Sequence, residues 1–240
     1  MIFLQDQHKL HFDEPSHTYT FEGQKLVSIS SLLKNYGQPF DSDGIIVARK
    51  AAENGITVKE QKEIWEKIGK DSRDKGTAFH ADAEYYIKTK KIPNTINKAL
   101  IKQFSKIKFK GTLFSEIRLF CLEYGIAGTT DIIEVLRDGS LGIWDFKTNA
   151  TKKMTRFSFG KKMKYPLNHI WDSVIDKYEL QISAYAFMLE CAGWGINDLT
   201  LLHIDTDKQQ IKKIPMKNRR NDVINMLEHY QQNRNNLQKS

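Results

Sequence analysis

The segment from Ile126 to Lys147 predicts two adjacent antiparallel strands, and their register constrains the fold more than any other feature of the chain. Residues 137–139, Arg-Asp-Gly, separate the two runs, and a three-residue hairpin loop with glycine last is a favoured connection. In that register Asp131 opposes Asp145, so both carboxylates lie on one face. A two-residue Asp-Gly turn is the alternative, and it would turn these side chains apart because a one-residue slip exchanges the faces.

These two carboxylates lie close to a lysine. Asp145 and Lys147 are two residues apart in one strand, so they project to the same side of the sheet. Paired carboxylates suit a hard divalent cation, and a neighbouring lysine can orient a water or offset charge on a phosphoryl group. The pattern predicts a metal-dependent nuclease. The alternative is a surface hairpin with scattered charges, but apolar residues at alternate positions beside Asp131 and Asp145 indicate a covered face.

The composition favours a polyanionic partner. The formal net charge is +8, which suits DNA but is weak evidence alone. The chain has two cysteines, Cys121 and Cys191, too few for a four-thiolate iron–sulfur or zinc site, and both are expected to be buried free thiols. No uncharged run reaches membrane-spanning length and no secretory leader is evident, so we expect a cytoplasmic protein without a membrane partner.

The order of the predicted elements indicates an α/β fold of the mixed α+β kind, with a central mixed sheet flanked by helices. A hairpin is predicted within residues 8–29, followed by a helix capped by Ser30 or Ser31. A long helix is predicted to begin after Gly76, with Thr77 as its cap. We divide the chain into an N-terminal hairpin and helical extension (1–71), a core (72–215) and a C-terminal helix (216–240).

Two further groups of residues suggest a site. His80 falls at the start of the predicted long helix, where it is either a metal ligand or a structural residue. Gln181 and Tyr185 are four residues apart on a predicted helix, so they share a face and can hold a phosphate or the lysine. A merely polar helix face is the alternative for the second pair.

Four short motifs in this order resemble the RecB-like branch of the PD-(D/E)XK nucleases. They are Gly76…His80, Gly128…Asp131, Asp145-Phe146-Lys147-Thr148 and Gln181…Tyr185. The resemblance covers about residues 72–205. The first seventy residues, with His17-x-Tyr19, look like the lead-in of phage-encoded and mitochondrial single-strand exonucleases of this branch.

The resemblance implies a restriction-endonuclease-like core with a metal centre. Asp131, Asp145 and the carbonyl of Phe146 would hold one or two Mg²⁺ or Mn²⁺ ions, and His80 would complete the metal shell. Lys147 would position the attacking water. An iron–sulfur cluster, which some relatives hold with four cysteines, is not expected.

The resemblance also implies contacts with DNA. Gln181 and Tyr185 would anchor its backbone, and Glu116 falls where relatives often carry a supporting acid. From the residues themselves, the segment from Lys152 to Trp171 mixes basic and aromatic side chains, which suits unpaired bases and phosphates. We expect it to be an irregular loop that orders on binding; a solvated loop is the alternative. Its candidate substrate contacts are Lys152, Lys153, Phe157, Lys161 and Lys162.

Together these features predict a metal-dependent DNA exonuclease that acts at DNA ends, with a single-strand preference, in replication, recombination or repair. We place it in a bacterial or phage-infected cell. A structure-specific endonuclease and a non-catalytic nucleic-acid-binding subunit of a recombination complex are the alternatives. The chain carries no helicase motif, so a helicase or recombinase partner would be a separate protein.

Overall fold

A computed structural model describes residues 9–13, 16, 18–39, 44–148 and 150–238. Within these residues eight strands form one mixed sheet, which confirms the predicted α/β class with a central mixed sheet. The strands are β1 (Leu10–Asp13), β2 (Thr18–Phe21), β3 (Gln24–Ser28), β4 (Thr112–Cys121), β5 (Ile126–Val135), β6 (Leu141–Lys147), β7 (Ile196–Asp205) and β8 (Gln210–Pro215).

Helices cover the sheet. They are α1 (Ile29–Tyr36), α2 (Ile45–Asn54), α3 (Val58–Thr89), α4 (Lys98–Phe104), α5 (Val174–Cys191) and α6 (Arg220–Gln238), with a short 3-10 helix at Thr151–Lys153. None of the helices in the described part of the chain combines the length and apolar character that crossing a bilayer requires.

Strand β5 lies at the centre of the sheet. Strand β4 pairs antiparallel with β5 along one edge. On the other edge, β3 pairs parallel with the first residues of β5, and β6 pairs antiparallel with its last residues. Pairing of Ile132 with Trp144 confirms the register that a three-residue loop predicts. Gly139 closes that loop with a φ of 81°, the left-handed conformation that glycine adopts most readily.

Of the three apolar cores that the described residues form, the two larger ones lie on opposite sides of this sheet, because the neighbouring residues Ile132 and Ile133 belong to different ones. The main core packs α1, α5 and α6 against Ile133 and Ile143. The second core packs α3 and α4 against Ile132 and Phe146. Side chains from both groups of helices therefore approach the end of β6.

The long helix begins earlier than the sequence predicted. Thr57 caps α3 and forms a capping box with Glu60, so the prediction that Thr77 is a cap was wrong. No proline interrupts residues 58–76, and the helix continues through the predicted domain boundary between residues 71 and 72. Gly76 lies inside this helix, where an added Cβ would stand 3.0 Å from Thr148 Oγ1, so it permits a close approach to the end of β6.

Two smaller expectations also change, and the predicted N-terminal hairpin is present. Ser28, rather than Ser30 or Ser31, caps α1, because its hydroxyl accepts from the Ser31 amide. Cys121 is buried as expected, but Cys191 is exposed; both thiols are free. The predicted N-terminal hairpin corresponds to β2 and β3, whereas residues 8, 14, 15 and 17, including His17, lie outside the described residues.

Candidate functional site

The candidate site lies where β5 and β6 separate. Their pairing extends from Val135 and Leu141 to Ile132 and Trp144. Beyond that point β6 continues beside β7, and the amide N–H of Phe146 donates a hydrogen bond to Asp131 Oδ2 at 2.5 Å. The carboxylate of Asp131 thus accepts a hydrogen bond from the backbone of the diverging strand β6. This bond fixes Asp131 where the two strands separate.

Opposite Asp131, the side of the sheet to which β4 turns its apolar side chains changes. Leu113 packs in the second core and Ile117 in the main core, although residues four apart in a regular strand share a face. Glu116, which lies between them, has a φ of 53°, an uncommon conformation for a residue other than glycine. The flanking pairs, with Ile132 and Thr130, place Glu116 beside Asp131. This local irregularity brings a second carboxylate to the site.

Helix α3 adds an imidazole to these carboxylates. His80 Nδ1 lies 3.1 Å from Asp131 Oδ1 and 3.7 Å from Glu116 Oε1. Burial lowers the pKa of His80, but the charge and hydrogen bonds of Asp131 and Glu116 outweigh it and raise that pKa to about 10. Potential ligand atoms of these three residues all lie within 4.8 Å of one another.

A buried ion pair adjoins this group. Lys147 Nζ lies 2.5 Å from Asp145 Oδ2. Burial raises the pKa of Asp145 to about 6, with Lys147 opposing the rise and Asp131 adding to it. Burial lowers the pKa of Lys147, but the charges of Asp145 and Asp131 outweigh it and hold that pKa above its usual value. The lysine is therefore a fixed positive charge beside two carboxylates.

Helix α5 covers the pair from the main-core side. Gln181 Nε2 donates to the Tyr185 hydroxyl at 2.8 Å, so these two residues meet as their spacing predicted. Burial raises the pKa of Tyr185 well above its usual value, and the charge of Asp145 adds to the effect, so the phenol keeps its proton. Gly128 leaves room for this ring, since an added Cβ would stand 2.6 Å from Tyr185 Cε1.

One residue of this site was not named from the sequence. The ring centroid of Tyr178 lies 4.8 Å from Lys147 Nζ, a cation–π distance. Tyr178 precedes Gln181 by three residues and Tyr185 by seven, so its helical spacing was a signal that it shares their face. Glu116 is also more central than expected, because it approaches His80 directly.

The basic segment between β6 and α5 leads away from Lys147. Lys152 and Lys153 are exposed in the short 3-10 helix, and Lys161 is exposed further along. Phe157 packs edge-on against Phe159 with ring centroids 4.6 Å apart. Lys162 Nζ lies 5.4 Å from the ring centroid of Trp171. The segment is irregular, as predicted.

The same segment is held down along its length, which argues against an unattached lid. Met163, Leu167 and Ile170 are buried in the main core. Arg156 forms ion pairs with two buried carboxylates of α5, Asp176 and Glu179. Ordering of the whole segment on binding is therefore not needed.

Comparisons with known proteins give little guidance. No protein-family profile matches the chain, and no curated protein matches it. Among solved structures, one described as "Crystal structure of SSO0001" is similar, with 16% identity, coverage of 55% of each chain and a TM-score of 0.33. A likeness this weak carries no argument, so the resemblance to the PD-(D/E)XK nucleases stays a prediction.

Proposed function

We propose that this protein is a metal-dependent deoxyribonuclease that hydrolyses phosphodiester bonds. The observation that carries the proposal is the convergence of His80, Glu116, Asp131 and the Asp145–Lys147 pair at the opening between β5 and β6. These side chains come from four different elements, and a surface hairpin with scattered charges would not gather them.

The residues present fit a hard divalent cation. The carboxylate oxygens of Glu116 and Asp131 suit Mg²⁺ or Mn²⁺, and His80 would add a nitrogen ligand on giving up its proton. Asp145 lies close enough to Asp131 for the charge of Asp131 to raise the pKa of Asp145. Phe146, whose carbonyl the resemblance assigns to the metal, uses its amide to hold Asp131. A cation at this place would supply positive charge to a bound phosphate and acidify a water.

The other residues suit a phosphodiester substrate. Lys147 presents a fixed ammonium group that can stabilise negative charge on a phosphate as it develops, and its buried position strengthens that interaction. The Tyr185 phenol and the Gln181 amide lie on the same side as donors. These groups place and polarise a phosphate without changing their own covalent structure.

The surface near the site suits a strand end of DNA. Lys152, Lys153, Lys161 and Lys162 are exposed on the segment that follows the catalytic strand, and Phe157 is exposed beside them. Phosphates pair with lysines, whereas unpaired bases stack on aromatic rings. This combination supports a preference for single-stranded ends, and with it a role in DNA replication, recombination or repair alongside a separate helicase or recombinase.

The decisive experiment compares Asp145→Ala with the wild type on end-labelled single-stranded, duplex and circular DNA with Mg²⁺. We expect the variant to lose at least about a hundredfold in rate, because removing one preorganised charged group typically costs that much or more. Asp207→Asn, at an exposed carboxylate on the β7–β8 turn, is the control.

Two outcomes would contradict parts of the proposal. Wild-type digestion by folded Asp145→Ala protein would remove the assignment of this site. Cleavage of circular single-stranded DNA at the same rate as linear DNA would replace the exonuclease with an endonuclease.

A further inference from the structure

Exposed aromatic rings are concentrated in the segment that follows β6. Within the described residues, four large exposed side chains of this segment are aromatic: Phe157 (64% exposed), Phe159 (82%), Tyr165 (70%) and Trp171 (47%). Because buried Met163, Leu167 and Ile170 fix the backbone between them, these rings are presented to solvent by an anchored segment. Phe157 and Phe159 contact each other, and exposed aromatic rings grouped in one anchored segment suit contact with another molecule.

Tyr165 stands at the edge of a cleft of about 540 Å³ between α1, this segment and α6. Its ring packs edge-on against His229, with centroids 5.3 Å apart. His229 is in turn fixed, since its Nδ1 lies 3.0 Å from the Tyr36 hydroxyl, which donates to the Met226 carbonyl. The exposed ring of Tyr165 thus packs against the imidazole of His229, which the hydrogen bond to Tyr36 holds in place.

The charge of this cleft is positive. Its lining includes Lys164 and Arg234, together with the polar Asn35 and Asn233, and no carboxylate residue is among its described lining. Lys164 Nζ donates to the main-chain carbonyl of Asn35 at 3.2 Å, a contact that leaves its charge in place. Aromatic rings beside arginine and lysine are the combination that binds an unpaired base together with its phosphates.

A second cleft lies beside the candidate active site. It measures about 410 Å³ on the other side of α1, and its lining includes Lys34, Lys177 and Tyr178. Tyr178 is the residue whose ring lies against Lys147. Residues of α1 line both clefts, with Leu33 and Lys34 in one and Asn35 and Tyr36 in the other.

The end of α1 is bonded to the aromatic segment. Gln38 Nε2 donates to the Lys162 carbonyl at 2.8 Å, and the Lys164 amide donates to the Tyr36 carbonyl at 2.8 Å. These bonds fix the position of one cleft relative to the other. A strand that passes from Lys147 through the second cleft can therefore meet a preformed surface at Tyr165.

We propose that the cleft at Tyr165 binds an unpaired nucleotide of a DNA strand that also occupies the candidate active site, with the base against Tyr165 and the backbone phosphates against Lys164 and Arg234. This inference rests on the proposed function and extends it. The substrate is a single strand several nucleotides long, held at a distance from the bond that is cut. The binding surface is preorganised, so affinity does not depend on folding of the segment.

The test measures binding without cleavage. Fluorescence anisotropy in excess chelator would follow labelled oligothymidylates of about three and about twelve nucleotides, lengths below and within the usual range of single-strand binding sites. Tyr165→Ala should weaken binding of the longer oligonucleotide about tenfold and leave the shorter one nearly unchanged. Tyr165→Phe should bind as the wild type does, since it keeps the ring. Tyr85→Ala, at another exposed tyrosine, is the control.

A salt series tests the charged part of the cleft. The Lys164→Glu and Arg234→Glu variants should each bind more weakly and show a flatter dependence of affinity on salt, because fewer counterions are released. Lys212→Glu, at an exposed lysine of the edge strand β8, should keep the wild-type slope. Thermal melting would establish that each variant is folded.

The possible results separate the two proposals. Unchanged affinity of Tyr165→Ala for the longer oligonucleotide overturns the inference, and so does an equal loss for blunt duplex DNA. Hydrolysis of bis(p-nitrophenyl) phosphate with Mn²⁺, a substrate too small to span both clefts, measures the metal site alone. If the wild type binds the oligonucleotide in a Tyr165-dependent way but hydrolyses no phosphodiester, the proposed function fails and the binding site stands.

Discussion

Replacing Gly128 by alanine should disturb the candidate site through one defined contact. The added Cβ would stand 2.6 Å from Tyr185 Cε1, closer than van der Waals contact permits. Tyr185 is buried in the main core, so its ring has little room to move aside. Overpacking of this kind costs about 1–3 kcal/mol.

That cost can be measured as a melting temperature. For a chain of this size, 1 kcal/mol corresponds to about 2–4 °C, so Gly128→Ala should lower Tm by about 2–12 °C. Gly195→Ala is the matched control, because its added Cβ would meet only Ser140 Cβ, at an ordinary 3.9 Å. The control should stay within about 0.5 kcal/mol of the wild type.

A double variant tests whether Tyr185 is the cause. In a Tyr185→Ala background the clash is gone, so adding Gly128→Ala should cost nothing or slightly stabilise the protein by filling part of the cavity. If Gly128→Ala lowers Tm equally in both backgrounds, the contact with Tyr185 is not what requires glycine. Hydrolysis by Gly128→Ala should also fall, since a displaced ring no longer meets Gln181 as it does at 2.8 Å.

Three further predictions concern the metal, the imidazole and a buried ion-pair cluster. Activity should require Mg²⁺ or Mn²⁺ and vanish with chelator, and Ca²⁺ should not replace them because it takes looser, higher-coordinate geometry; full activity in excess chelator would refute a metal mechanism. His80→Ala should reduce the rate of DNA hydrolysis less than Asp131→Ala does, and an unchanged rate would make His80 a structural residue. Burial raises the pKa of Glu179, but its ion pairs with Arg156 and Arg219 outweigh burial and lower that pKa overall. The stability that Glu179 contributes is therefore present above about pH 4.3, the pKa in the unfolded chain, and is lost as the pH falls through the folded-state pKa. Glu179→Gln should therefore be less stable at pH 7 and lose less stability in acid than the wild type, as urea unfolding at several pH values would show; equal pH profiles would contradict this.

The hairpin register could be predicted because its determinants are local. Turn chemistry at residues 137–139 allows a two-residue or a three-residue loop, and the shared face of the two carboxylates favours the longer one. The period of two along each strand then places Asp131 and Asp145. The pairing of Gln181 with Tyr185 follows from helical spacing in the same way. The two tyrosines of α5 share that face, so Tyr178 could have been found by the same argument.

The start of α3 shows where local signals compete. Thr57 with Glu60 and the Gly76-Thr77 pair both resemble helix starts, and only the first is one. The second lies inside a continuous helix because Gly76 serves a packing need, the close approach to Thr148. The presence of a glycine does not by itself reveal whether it marks a helix end or permits close packing inside a helix.

The sequence by itself determined the mixed α/β class, the hairpin and the residues proposed for catalysis, since periodicity, turns and charge pattern are short-range properties. Only the tertiary structure decided that Glu116 adopts a left-handed conformation beside Asp131, that His80 reaches both carboxylates, and that Arg156 fastens the basic segment to α5. These contacts join residues far apart in the chain. Their geometry depends on how the helices pack on the two faces of the sheet, and packing is a property of all the elements together.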